Sequence, residues 1–495
     1  MANLTFSETE FVSKKVVATT QNTQTVRISV KNDVARVLSV GAESAVTSYD
    51  CTEGAASFYG KTNVKFLYFD GVSIVGSTYQ ADFTSSIDSA EINAASRLVF
   101  DVQTLDVSTE TNANTATITI LSQITVTAYV SDNVTYLSGV EGAYALTENL
   151  EALTVADVVN LPLTVEGEFD AEHNVSTVLL AESTACLSDY DYNKDDGILS
   201  VSGRAVVRLT YLSDGEIVTE SADFPFQKEV DAGVILPQTD LYVRPQVRSV
   251  KVRLNIAENQ PDVALSVEVG VNLRVETTKT EVVAAVVDAY GSDCDFDFER
   301  KQVQTTLPCG TNSTIERQTI AVDWQNKGKP VSLVNPCVSA IECDSACGSA
   351  TVKGVVSATV LCVGEQGMTG EPVELPFLFK IPVDYLTEKC SVYAAATLCD
   401  LSFVFDGAQT EFTEDLKVDL LSRKDVTYSL IVQATEKTFD KRSLPAMEVC
   451  LAKKGETLWQ LAKNLHMSED EVVAANPEVT SPLTSDARIV VYNKL

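Results

Sequence analysis

The sequence predicts a mainly β protein: three tandem antiparallel β-sandwich-like domains, over 1–146, 147–300 and 301–440, followed by a small β-α-α-β module over 447–495. Three observations predict it. One strand-and-hairpin block recurs three times at domain spacing. Apolar residues within it alternate with period two, the mark of a strand with one buried face. Helical periodicity is scarce before residue 455.

The recurring block begins at Gly60, Gly203 and Gly354, which lie 143 and 151 residues apart. That period is too long for a solenoid repeat and suits a whole domain. Positions four, six and eight after each glycine are Val64, Phe66, Tyr68; Val207, Leu209, Tyr211; and Ala358, Val360, Cys362. The residues between them are mixed, as in Lys65 and Leu67. Asp70-Gly71 and Asp214-Gly215 then supply the positive φ of a tight hairpin, and Gly367 stands near that point in the third copy. A Phe follows each anchor glycine by 23 positions (Phe83, Phe226, Phe377), and an aliphatic residue comes four later (Ile87, Val230, Ile381). Upstream, the run 40–50 matches 180–191, and 333–344 is a more diverged third copy. Further alternating runs cover 115–120, 247–254 and Val263 to Val275. Half-apolar strands of this kind bury themselves by stacking two sheets. No Pro- or Gly-rich spacer separates the copies, which predicts domains packed on one another.

The C-terminal module reads in order. Residues 449–452 form a short strand and Gly455 turns the chain. Thr457 or Glu456 caps a helix with the apolar face Leu458, Leu461, Ala462 and Leu465. Ser468 and Glu471 have capping-box spacing for a second helix, which Asn476-Pro477 ends. Residues 488–492 close the module as a strand. Trp459 is expected to pack into the module's own small core, and His466 to be solvated on the turn between helices.

Composition narrows function. The chain has 495 residues, enough for three or four domains, with 45% hydrophobic and 21% charged residues, as in globular proteins. Its formal net charge of −32 repels phosphates and anionic lipid headgroups, which sets aside nucleic acid and anionic membrane surfaces as partners. No apolar run reaches the ~18–20 residues of a transmembrane helix. The N-terminal residues lack the basic and apolar regions of a secretory leader, so the chain is expected to work where it is made. The eleven cysteines read first as buried reduced thiols, then as cross-linking residues in an assembly. Metal binding comes third, because Cys337, Cys343 and Cys347 have neither a zinc spacing nor a nearby His.

Catalytic motifs are missing from the sequence. The two histidines, His173 and His466, sit in no catalytic pattern. The run 54–62 imitates a phosphate-binding loop, but it has one residue too many between its glycines and is followed by a strand. Asp189, Asp191, Asp195 and Asp196 read as a solvated loop without calcium-hand spacing, and Asp293, Asp295, Asp297 and Glu299 as a solvated charge run. The chain is therefore expected to be no enzyme and to need no cofactor.

Two resemblances sharpen the expectation. Lys454-Gly455-Glu456-Thr457-Leu458-Trp459, Ala462-Lys463 and Ala474-Ala475-Asn476-Pro477 resemble the LysM family in position and spacing. That family binds N-acetylglucosamine polymers in a groove between two loops. The likeness places the groove on Gly455, Glu456, Thr457, Leu458, Asn476, Pro477, Glu478 and Val479. Ser485-Asp486-Ala487 replaces the family's usual Pro-Gly-Gln turn, and Glu456 stands where Asp is commoner. The three-fold block resembles the SPOCS domain, and the combination resembles the family of spore-coat morphogenetic proteins. The resemblance implies a non-enzymatic scaffold in the mother-cell cytoplasm that gathers on the forespore surface. It implies that the LysM module docks a coat morphogenetic ATPase (SpoIVA-like). A peptidoglycan-binding envelope protein, taking GlcNAc-containing glycan, is the alternative.

Overall fold

The computed structural model describes residues 2–492 apart from 31–32, 113, 194, 234–239, 256–263, 326, 366 and 440–444. Val263, where one alternating run is expected to begin, lies outside the described residues.

The alternating runs form three sets of six strands. The first set is β1 (Asn3–Ser29), β2 (Arg36–Thr52), β3 (Ala55–Phe69), β4 (Ile74–Asp88), β5 (Arg97–Asn112) and β6 (Thr115–Glu141). The second is β7 (Tyr144–Phe169), β8 (Thr177–Asn193), β9 (Ile198–Ser213), β10 (Glu216–Asp231), β11 (Asp240–Asn255) and β12 (Ala264–Tyr290). The third is β13 (Cys294–Asp323), β14 (Lys329–Ala346), β15 (Ser349–Gly364), β16 (Gly367–Pro382), β17 (Ser391–Phe405) and β18 (Gln409–Thr438). Each set makes two three-stranded antiparallel sheets: a long one in the order first–sixth–fifth strand and a shorter one in the order second–third–fourth. β7 and β13 run straight through the expected boundaries at 146/147 and 300/301, and the turns between repeats fall at 142–143 and 291–293. Such turns carry no linker composition for the sequence to display.

The two sheets of each repeat share a core. Ile28 and Ile118 of the long sheet meet Val64 and Phe66 of the short one in the first repeat. Val269 and Leu273 meet Val207 and Leu209 in the second, and Leu416 and Val418 meet Val356 and Val360 in the third. The spacing of Gly and Phe acquires a cause here. Gly60 pairs directly with Phe83, Gly203 with Phe226 and Gly354 with Phe377 across the hairpin. A Cβ on these glycines would lie 2.2, 3.0 and 2.6 Å from the ring tip. The ring lies over the bare backbone and restores the apolar cover that a strand glycine forfeits. In the second hairpin both turn residues have positive φ, 51° at Asp214 and 88° at Gly215, which matches the strand twist.

The expectation of a single buried face on the central strand is corrected by the structure. Leu67, Thr210 and Leu361, on its other face, are also fully buried. Their cover comes from neighbouring repeats: Leu38, Leu67, Leu179, Ile217, Val334 and Leu361 form one cluster drawn from all three short sheets. The edge strand of each short sheet lies on the next repeat, β4 on β8, β10 on β14 and β16 on β2. Each contact joins unlike surfaces, and the third closes the circle, so one chain builds a pseudo-three-fold ring. The long sheets meet around the same centre through Phe11, Tyr136, Leu150, Val283, Val303 and Leu430.

Close approach demands glycine at two of the three ring seams, whereas Thr219 occupies the equivalent position at the third. A Cβ at Gly76 would lie 1.9 Å from the Leu179 carbonyl oxygen, and one at Gly370 would lie 1.7 Å from that of Leu38. The obstacle is backbone and cannot swing aside. Gly370→Ala is therefore expected to part the seam between third and first repeats at a cost of about 1–3 kcal/mol, the usual range for overpacking. A lowered urea midpoint measures it, and an unchanged midpoint refutes the close-approach argument.

After the ring come β19 (Met447–Ala452), α1 (Leu458–Asn464), α2 (Glu469–Ala475) and β20 (Ala487–Tyr492), with β19 and β20 paired antiparallel. Thr457 caps α1 in a capping box with Gln460, and Ser468 caps α2 in one with Glu471. Leu461, Ala462, Leu465 and Val472 fill the space between the helices and the paired strands. Among the described residues no helix is long and apolar enough to cross a membrane.

Candidate functional site

The two loops expected to form the groove lie side by side in the C-terminal module. Gly455, at φ 93°, turns the chain out of β19. Its N–H donates to the Leu483 carbonyl at 2.9 Å, and the Leu483 N–H donates to the Glu456 carbonyl at 2.9 Å. The Leu458 N–H donates to Ser481 Oγ at 3.0 Å, and the Glu456 carboxylate accepts from the Lys453 N–H at 3.2 Å. Asn476 uses its whole side-chain amide internally. Its Oδ1 accepts from Val490 N–H, and its Nδ2 donates to the Val472 and Val490 carbonyls, each at 2.9 Å. It ties α2 to β20 and so positions the second loop. Val479 N–H donates to the Asn476 carbonyl at 3.1 Å. Of the eight groove residues, Gly455, Pro477 and Glu478 are exposed; Glu456, Thr457, Leu458, Asn476 and Val479 are half-buried.

His466 overturns its sequence expectation, and Trp459 packs against the module's core as expected but reaches beyond it. Trp459 sits at the seam with the ring instead of lying wholly within the module. Its ring meets Tyr290 edge-on at 4.9 Å, and its Nε1–H donates to the Asp288 carboxylate at 2.8 Å. Lys463 Nζ holds the other oxygen of Asp288 at 2.5 Å, and Tyr290 OH donates to the Met467 carbonyl at 2.9 Å. His466 is half-buried rather than solvated. It has φ 50°, lies 4.4 Å from the Phe439 ring centroid and has Nδ1 3.6 Å from Asp295. Both residues leave the module's surface because the end of the second repeat and the start of the third rise to meet them.

Thr457, Trp459, Gln460, Lys463 and Ser481 on the module face Leu146, Val287, Asp288 and Arg300 on the ring across a cleft of about 650 Å³. Its floor is the Asp288 clamp. Asp288→Ala removes the acceptor of two seam hydrogen bonds, one of them from an ammonium. Its expected cost to docking is about 1–2 kcal/mol, since charged hydrogen bonds are worth about 1.5–3 kcal/mol and this one is partly solvated. Amide hydrogen exchange should quicken in α1 and stay unchanged in β9; equal protection in both proteins would show that the clamp is idle.

Sequence reasoning missed Asp288, Tyr290 and Phe439. They belong to the ends of the second and third repeats and carry no motif. The one available signal was a tyrosine at each end of the second repeat, Tyr144 and Tyr290, which pair across β7 and β12 with their rings 5.1 Å apart.

The other candidates separate. Asp189 and Asp191 lie on β8 rather than in a loop, because the alternation of that strand continues to Asn193; Asp195 and Asp196 occupy the turn. The charge run at 293–299 is largely the start of β13, where Asp295 faces His466 and Asp297 pairs with Lys437. The imitation phosphate loop lies within the β3 hairpin. Cys337 and Cys343 stand on β14 with Cys347 beyond it, and all three are free thiols. Among the described residues, the group of three metal-capable ligand atoms within 4.8 Å is Glu172, His173 and Glu220. His173 Nδ1 lies 2.8 Å from the Glu220 carboxylate, and that hydrogen bond raises the imidazole pKa. The trio sits on the surface, away from the module.

No family model, curated protein or solved structure matches the chain.

Proposed function

We propose that the chain is a non-enzymatic scaffold of spore-coat assembly, of the SipL-like type. The three repeats act as SPOCS domains and the C-terminal module as a LysM domain. The ring is the body that gathers on the forespore surface from the mother-cell cytoplasm. The module is the arm that docks a coat morphogenetic ATPase. One observation carries the reading: the module is fastened to the ring at Asp288 and Tyr290 while Gly455, Pro477 and Glu478 stay exposed. A body that fixes the orientation of a docking loop is what a linker between two layers requires, because preorganisation lowers the cost of binding. The motif run 454–459 and the three-fold block supply the family likeness.

The test is localisation of the tagged full chain in a sporulating host. A fluorescent ring around the forespore is expected, together with co-purification of the coat ATPase that falls when Pro477 and Glu478 are replaced together. Diffuse signal throughout sporulation defeats the scaffold reading. Retention on purified cell-wall sacculi without a forespore ring would instead favour a peptidoglycan-binding envelope protein.

A further inference from the structure

Two thiols from different repeats face each other at the seam between the second and third. Cys186 of β8 and Cys399 of β17 have their sulfurs 3.1 Å apart, and both residues are buried. They are separated by 213 positions in the chain, so local sequence does not bring them together. The backbone does so by a specific device. The β17–β18 ladder steps from Leu398↔Leu416 to Asp400↔Asp415, which leaves Cys399 as the extra residue of a β-bulge. A bulge re-aims the side chain it carries. The corresponding bulges of the other two repeats fall between Thr104 and Asp106 and between Val247 and Ser249, where the extra residues are Leu105 and Arg248. Only one of the three seams therefore carries a thiol on its bulge.

We propose that Cys186 and Cys399 are a modification site, at which hydrogen peroxide forms a disulfide that staples the second repeat to the third. The two cysteines are chemically unequal. Hydrogen bonding from Cys186, together with the Arg204 guanidinium, pulls the Cys399 thiol down to about 7 against the effect of its burial. The Cys186 thiol is pushed up, first by that same hydrogen bond and then by burial. Cys399 is thus the nucleophile, because the thiolate is the reacting form. It borders a cleft of about 40 Å³, together with Lys65, Glu182 and Arg208, where the three repeats meet. A space of that size exceeds the roughly 10–15 Å³ needed to admit one water molecule, so a water-sized oxidant such as hydrogen peroxide can enter.

The steps balance. The Cys399 thiolate attacks one peroxide oxygen; an S–O bond forms, the O–O bond breaks, and the leaving hydroxide takes a proton to become water. Cys186 then attacks the sulfenic sulfur of Cys399. The S–S bond forms, the S–O bond breaks, and a second water leaves with the Cys186 proton. Two thiols are oxidised and one peroxide is reduced to two waters.

The test uses the reduced, folded full chain treated with hydrogen peroxide, alkylated and mapped by mass spectrometry without reduction. The expected product is a peptide pair joining positions 186 and 399, lighter by two hydrogens and released by dithiothreitol. The urea midpoint of the oxidised chain is expected to rise. In C186S, whose fold is checked by circular dichroism, the pair disappears and dimedone present while the peroxide-treated chain is unfolded in urea labels Cys399. Cys309 and Cys390, also 3.1 Å apart but within the third repeat, provide an internal reference that ties no two repeats together. Failure of the wild-type chain to form the 186–399 pair overturns the proposal, as does sulfinic acid at Cys399 with Cys186 untouched. An oxidised midpoint equal to the reduced one removes the staple.

Discussion

Glu276→Gln should destabilise the ring by about 3–5 kcal/mol at pH 7, the usual cost of breaking a buried ion pair by removing one charge. Glu276 lies on β12 with its side chain 3% exposed. Its Oε2 accepts from Lys14 Nζ at 2.6 Å and from Tyr129 OH at 2.8 Å, both from the first repeat. Arg274 Nε stands 3.6 Å from its other oxygen and also 3.6 Å, through Nη1, from Asp101 of β5. Arg244 of the second repeat bridges Asp101 to Tyr393 OH of the third, at 3.0 Å each. One network thus joins all three repeats at their common centre, and neutralising Glu276 leaves Lys14 buried without its counter-charge. Burial works against the Glu276 carboxylate, but the Lys14 ammonium and the Arg274 guanidinium outweigh it and hold its pKa below 4.5. A carboxylate with a lowered folded-state pKa stabilises the fold above the ordinary carboxylate range and loses that contribution as pH falls through the folded value. The gap between wild type and Glu276→Gln should therefore be full at pH 7 and narrow below about 4. Urea midpoints across that range measure it. A gap that stays constant down to pH 2–3 would mean that the charge of Glu276 is not what holds the centre together.

The same network shows where a sequence stops being informative. The period-two alternation of Val64, Phe66 and Tyr68, and of their counterparts, reports the face turned to the repeat's own second sheet. That is a local fact, and it was legible. So was the constant spacing of Gly60 and Phe83, although their pairing across the hairpin, which fixes that spacing, was not. Ser468 and Glu471 announced their capping box by their spacing. What closes the ring was not legible. Leu67, Thr210 and Leu361 are an apolar, a polar and an apolar residue at one register position, so no pattern marks them as a common seam. Lys14, Glu276, Arg244 and Asp101 are scattered over the first two repeats and read as ordinary surface charges until the long sheets meet. At the candidate site the division falls in the same place. The loops of the module could be named from their motif, whereas the Asp288–Trp459–Lys463 clamp depends on how β12 ends and could not. Helix and hairpin rules act within a few residues; packing between repeats acts across hundreds.

Glu414 carries the opposite electrostatic sign and yields the second large prediction. It lies on β18, 1% exposed, with Oε1 accepting from Gln318 Nε2 at 2.6 Å and Oε2 buried without a hydrogen-bond partner among the described residues. No cation pairs with it among those residues, so burial, only partly countered by Gln318, pushes its pKa up to about 7. The folded chain therefore holds a proton that the unfolded chain releases near 4.5. Its contribution is full below about 4.5 and is lost as pH rises through about 7. Glu414→Gln keeps the shape and the hydrogen bond to Gln318 while abolishing the charge. It should be nearly neutral at pH 5 and should stabilise the chain by about 2–3 kcal/mol at pH 8, since each tenfold change in an acid constant is worth about 1.36 kcal/mol before a discount for solvent relaxation. Paired urea midpoints at pH 5 and pH 8 decide it. If wild type and variant run parallel between those values, the carboxylate is already ionised at pH 5 and burial does not govern it. If they diverge as expected, the long sheet of the third repeat loosens in mildly alkaline conditions while the centre around Glu276 holds. The two carboxylates then set the acid and alkaline limits of the same ring.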